Sequence, residues 1–127
     1  MPLSRPSSSE LKQALEEFRD RVHSEASRKQ TYEKRVAANL TGILRRELES
    51  GATAEANERK RLAHLLGRDA SLGELNRELC ERIRKREILS ADAAVLAHLR
   101  ATVLDKLRID NPKYSEYLRA RKSFQVN

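Results

Sequence analysis

Apolar residues recur along this chain at three- and four-residue steps, and the runs are separated by glycine, proline and capping side chains. Leu11, Leu15, Phe18 and Val22 form one stripe and predict a helix over 10–24. Val36, Leu40, Ile43, Leu44 and Leu48 form the next and predict a helix over 32–50, which Gly51 is expected to end as a left-handed cap. A third helix is expected over 53–66, with Leu62, Leu65 and Leu66 near its far end and Gly67 as its cap. Ser71-Leu-Gly-Glu74 has the spacing of a capping box and opens a fourth helix, whose stripe is Leu72, Leu75, Leu79 and Ile83. Arg84-Lys85-Arg86 falls at the negative end of its dipole. Leu96, Leu99, Val103 and Leu107 mark a fifth helix, capped by Ser90 or Asp92. It stops at Asn111-Pro112, because helical geometry is disfavoured before proline.

The remaining segments are polar or short. Residues 1–9, with Pro2, Pro6 and three serines in a row, read as a flexible lead-in, Ser8 or Ser9 capping the first helix. Residues 24–30 read as a polar connection, 114–121 as a short helix or docking arm, and 119–127 as a basic flexible tail. No strand alternation, repeat or heptad array appears. The expected fold is all-α: a single-domain antiparallel helical bundle of about five helices with its body over 10–118.

Composition narrows the class further. A chain of 127 residues is long enough for a core without staples. It has no apolar run long enough to span a bilayer and no apolar signal segment, and its single cysteine excludes an internal disulfide. A cytoplasmic location is expected. The net charge of +7 raises the alternative of a basic helical nucleic-acid-binding protein. The excess sits mainly in 51–68 and in 111–127 rather than along one continuous face. The clusters Arg59-Lys60-Arg61 and Arg84-Lys85-Arg86, with glutamates interspersed, read as solvated faces, so nucleic acid is the less favoured partner.

Little in the sequence carries chemistry of its own. His23, His64 and His98 do not pair at helical spacing, and Cys80 reads as a core thiol, so no metal set is expected. There is no nucleophile elbow and no Gly-rich phosphate loop, and neither a cofactor nor a self-contained active site is expected. Gly42 lies mid-helix, where it would permit close helix packing. Arg35 and Asn39 share a helix face and admit two readings. They form a polar lock inside the bundle, Arg35 pairing with Glu47, Asp105 or a helix C-terminus, or they bind a carboxylate or phosphate. His98, Thr102 and Asp105 form a polar seam that faces the second helix or edges an interface. Tyr114, Tyr117 and Phe124, with Arg119 among them, make the C-terminal segment the candidate interface, or else pack back on their own bundle.

The order and content of four segments add a resemblance. RVAANLTGILRREL (35–48), AEANERKRLAHLLG (54–67), SLGELNRELCERIRKRE (71–87) and LAHLRATVLDKLRIDNPKY (96–114) resemble one small all-helical bacterial family long labelled as a domain of unknown function. The most specific pieces are Arg35-Val-Ala-Ala-Asn39, Ser71-Leu-Gly-Glu-Leu-Asn76, His98-Leu-Arg-Ala-Thr102 and Asn111-Pro-Lys-Tyr114, within a likeness that covers 11–117. The resemblance implies company: such proteins are encoded beside an aminoglycoside-phosphotransferase-like kinase and an acyl-CoA dehydrogenase. Some are similar to the small accessory subunit of a two-component kinase acting on 4-hydroxyacyl-CoA. It implies no catalytic residues for this chain. The same surfaces would also serve a homodimer.

Overall fold

The computed structural model describes residues 4–22, 28–89 and 91–125. They form five helices: α1 (Ser8–Val22), α2 (Arg28–Leu66), α3 (Leu72–Arg84), α4 (Ala93–Asp110) and α5 (Ser115–Gln125). Among the described residues there is no strand. The fold is an all-α bundle built on one spine. At the usual rise per residue, α2 is about 58 Å long. α1, α3 and α4 each pack on α2, and α5 packs on α4.

The spine corrects the expected division at Gly51. Residues read as two helices form one 39-residue helix, and Gly51 is buried in its interior. A mid-helix glycine costs only about 1 kcal/mol relative to alanine, and no proline follows to enforce a break. Tertiary packing outweighs that penalty. The buried positions Leu44, Gly51, Ala54, Glu58, Leu62 and Leu66 follow one another at three-, four- and seven-residue steps straight through the glycine. The stripe read for 32–50 is correspondingly only half right: Leu44 is buried, whereas Val36 and Leu48 are exposed. Gly67, with φ +72, does adopt the left-handed conformation expected of a cap.

α1 starts two residues earlier than expected, at Ser8. Ser7, rather than Ser8 or Ser9, accepts a hydrogen bond from the Glu10 amide, and the Ser7 amide donates to Glu10 Oε2 at 2.6 Å. This is a second capping box. The Ser7 amide and hydroxyl hold the Glu10 carboxyl below its usual range. Leu11 is buried, and Leu15 and Phe18 are half-buried against the Val36 and Leu40 side of α2. The expected connection over 24–30 and the Ser90 cap fall largely outside the described residues. From Arg28 onward the chain is already helical.

α3 follows its sequence closely. Ser71 caps it with both halves of the capping box in place, and Leu75 and Leu79 are buried against Leu62 and Leu66 of α2. Its C-terminus carries a backbone constraint the sequence does not advertise. The Arg86 amide donates to the Ile83 carbonyl and the Glu87 amide to the Arg82 carbonyl, which places Arg86 at φ 59. This position is normally given to glycine, since a Cβ crowds the carbonyl there. Arg86→Gly is therefore expected to raise stability by about 1 kcal/mol, measurable as a higher urea midpoint with an unchanged slope.

α4 is capped by Asp92, whose carboxylate accepts from the Ala94 and Val95 amides, and it ends before Asn111-Pro112 as expected. α5 runs to Gln125, so most of the expected flexible tail is helical. The segment contains no glycine or proline, and the Glu116–Arg119 ion pair at 2.8 Å supports its first turn.

Candidate functional site

α4 turns a face toward the spine that a count of apolar residues does not select. Its buried residues are Val95, His98, Thr102 and Ile109, while Leu96 is 36% and Val103 47% exposed. The expected apolar stripe thus lies partly in solvent, with Leu99 and Leu107 half-buried beside it. The polar seam faces inward because α2 supplies a donor for it. Arg61 Nε donates to His98 Nδ1 at 3.3 Å, and Arg61 Nη2 donates to Thr102 Oγ1 at 3.1 Å. Thr102 Oγ1 in turn donates to the His98 carbonyl at 3.0 Å. Accepting at Nδ1 leaves the proton of the neutral imidazole on Nε2. Burial, and next the Arg61 charge, push the His98 pKa down to about 4. Among the described residues no buried side-chain nitrogen or oxygen lacks a hydrogen-bond partner.

The polar lock exists, but with different members on α2. Arg35 and Asn39 are exposed, and among the described residues neither makes a hydrogen bond or an ion pair. Asp105 pairs instead with Arg108 on its own helix at 3.4 Å. Arg61, read as part of a solvated basic run, is the true partner of His98 and Thr102. The signal for it was indirect: two inward polar side chains four residues apart require a donor opposite them.

A second arginine of α2 closes the end of α4. Arg46 Nε donates to the Ile109 carbonyl at 2.6 Å, one of the last carbonyls that the helix itself leaves unpaired. The guanidinium also complements the negative end of the α4 dipole. Gly42 leaves room for this guanidinium: a Cβ built there would stand 3.0 Å from Arg46 Nη1, close enough to press it aside by a few tenths of an ångström. The close packing expected at Gly42 is therefore against its own helix's Arg46 rather than against another helix.

Beside this contact lies a cleft of about 480 Å³ between α2 and the α4–α5 turn. Asn39, Thr41, Gly42, Arg45 and Arg46 line one side, and Asp110, Asn111, Pro112 and Lys113 the other. Asn39 is thus a wall of a cleft instead of a lock. Arg35 is not part of it.

The remaining sequence candidates separate. Tyr117 is buried at 4% exposure, so it packs on its own bundle and is withdrawn from the interface. Tyr114 is 44% exposed, and Arg119 is exposed in its ion pair with Glu116. The Phe124 side chain lies outside the described residues, as does His23. Cys80 is exposed, which corrects its reading as a core thiol. Among the described residues, no three His, Cys, Asp or Glu side chains gather as metal ligands would. No helix among them is long and apolar enough to cross a membrane.

Part of the basic charge is engaged within the chain. Arg59 makes a two-point contact to Asp69 at 3.0 and 2.9 Å. Arg68 and Arg82 converge on Glu78, and the Arg68 hydrogen bond is the main cause that holds the Glu78 carboxyl below its usual range.

The comparisons with known proteins bear on the chain from 24 to 114. The model of a family described as Domain of unknown function (DUF6285) matches these residues, and the chain belongs to that family. The match includes the Arg61–His98–Thr102 contact and the whole cleft. No curated protein and no solved structure matches the chain.

Proposed function

We propose that this member of the DUF6285 family is a non-catalytic accessory subunit. In the cytoplasm it binds and supports an aminoglycoside-phosphotransferase-like kinase in acyl-CoA or hydroxy-acid catabolism. The observation that supports this reading best is the outward apolar side of α4. A helix that spends its inward face on His98 and Thr102 leaves Leu96 and Val103 facing solvent. These two residues are seven apart and share a face, with exposed Arg100 between them, four residues after Leu96 and three before Val103. Exposed apolar side chains interleaved with arginine are interface material. Tyr114 and Leu118, both exposed, offer further apolar area at the start of α5. The kinase as partner rests on the resemblance of the four segments quoted above. The fold contributes a rigid spine on which such a surface can be presented.

Co-expression with an aminoglycoside-phosphotransferase-like kinase from the same genome, followed by affinity purification, tests the proposal. The wild-type chain is expected to co-purify, and Leu96→Glu with Val103→Glu is expected to abolish co-purification without lowering helical content. The same double variant should depress kinase activity to that of the kinase alone. A kinase that is fully active by itself and forms no complex with the wild-type chain overturns the proposal.

A further inference from the structure

The cleft between α2 and the α4–α5 turn carries a separate inference. Its volume, about 480 Å³, is in the range of small-molecule sites. Three cationic side chains line it, Arg45, Arg46 and Lys113, against one carboxylate, Asp110. The amides of Asn39 and Asn111 and the hydroxyl of Thr41 also reach its wall. Most of these groups are unspent. Arg46 uses Nε on the Ile109 carbonyl, and among the described residues its two terminal nitrogens make no hydrogen bond. Lys113 and Asn39 are exposed, and among the described residues neither has a hydrogen-bond or ion-pair partner. Arg45 meets Glu49 only at 3.9 Å, with both side chains largely exposed. Thr41 Oγ1 donates to the Ala37 carbonyl, which leaves it an acceptor. Arg46 is meanwhile held in place: its guanidinium lies over the bare backbone of Gly42 and is anchored to the end of α4. A guanidinium fixed at one nitrogen, with its terminal nitrogens free, suits two-point recognition of a phosphate or carboxylate.

We propose that this cleft binds a small phosphomonoester with a polar body. The excess of two positive charges in its lining matches a dianion, and donors outnumber acceptors around it. The cleft is larger than inorganic phosphate needs, which leaves room for the body of the molecule. Its walls hold no aromatic side chain on which a nucleobase would stack. Ala38, Gly42 and Pro112 are its only residues without a polar side chain. The site is independent of the α4 surface assigned to the kinase, so either assignment can fail without the other.

Glycerol 3-phosphate, glycerol and a single-stranded oligonucleotide, each titrated into the full chain at low ionic strength, are the probes. Amide shifts followed by NMR are the readout. Glycerol 3-phosphate is expected to move the amides of 39–46 and of Asp110, Asn111 and Lys113, and glycerol is not. Arg45→Ala with Lys113→Ala is expected to weaken binding about tenfold or more, through loss of two charged contacts. Both side chains are exposed, so the variant should keep its fold. Gly42→Ala should weaken binding modestly with no change in charge, because the added Cβ, 3.0 Å from Arg46 Nη1, presses the fork out of its position by a few tenths of an ångström. Lys60→Ala, outside the cleft, should leave affinity unchanged. Three results would each overturn the proposal: no shifts with glycerol 3-phosphate, shifts scattered over all basic residues and insensitive to Arg45 and Lys113, or tight binding of the oligonucleotide alone.

Discussion

Leu62→Ala is expected to destabilise the chain by about 3–4 kcal/mol, the range for truncating a fully enclosed leucine. Leu62 is 0% exposed and sits where α2 and α3 meet, in one cluster with Leu66, Leu75 and Leu79. Ala63, Ala70, Leu72, Ile83 and Ile88 close the sides of that cluster. Leucines supply nearly all the volume there, and two of the flanking residues are alanines. No large flexible side chain is at hand to refill the space. The loss is severe for this architecture in particular. Among the described residues only the Leu62, Leu75 and Val95 side chains are fully enclosed, so apolar burial there is concentrated at a few points along the spine. A small domain holds about 5–15 kcal/mol in total, so one such cavity removes a large share. Urea denaturation followed by circular dichroism measures the effect, with Leu48→Ala as the control. Leu48 lies on the same helix but is 73% exposed, and its truncation should change stability by less than about 0.5 kcal/mol. Equal losses at the two positions would mean that the α2–α3 cluster is not the core.

What the sequence made legible was local. The Ser71 capping box, the α3 stripe, the Asp92 cap and the stop at Asn111-Pro112 each depend on residues within a few positions, and each is in the structure. The Ser7–Glu10 box was equally local, but the run of three serines hid which of them acts. What failed depended on contacts between distant segments. Glycine commonly ends a helix, yet a buried stripe carries α2 straight through Gly51. On α4 two faces compete. Leu96 and Val103 form the more apolar one, and His98 and Thr102 would pay for burial unless paired. Arg61 supplies that pairing from 37 and 41 residues away, which no periodicity within α4 records. The cleft was out of reach for the same reason. Asn39 and Asn111-Pro112-Lys113 belong to two distinctive segments, 35–39 and 111–114, but only the fold sets them opposite each other.

The Arg61–His98–Thr102 contact predicts a pH dependence with a definite sign and window. In the folded chain His98 titrates at about 4, below its ordinary value near 6.5, because it is buried and faces the Arg61 guanidinium. Between those two values the unfolded chain binds a proton that the folded chain refuses. Stability therefore falls as pH drops from about 6.5 to about 4, and is fully present above that window. A shift of this size corresponds to about 3 kcal/mol across the window. Below about 4 the imidazole is protonated in both states and adds no further slope. Glu10, Glu74 and Glu78, whose pKa values are lowered by Ser7, Ser71 and Arg68 respectively, act in the same direction but at lower pH. They titrate below the ordinary carboxylate range, so the interval from about 5 to 6.5 reports His98. His98→Gln keeps an acceptor for Arg61 and removes the titration, so it should flatten the stability profile in that interval. Arg61→Met should act differently. It deletes the neighbouring charge, which lifts the His98 pKa and makes the profile shallower. It also strips Thr102 of its donor and costs about 2 kcal/mol at neutral pH. Urea midpoints at a series of pH values separate these outcomes. A wild-type profile flat from pH 6.5 to 5, or one that His98→Gln leaves unchanged, would show that His98 is not held neutral against α2.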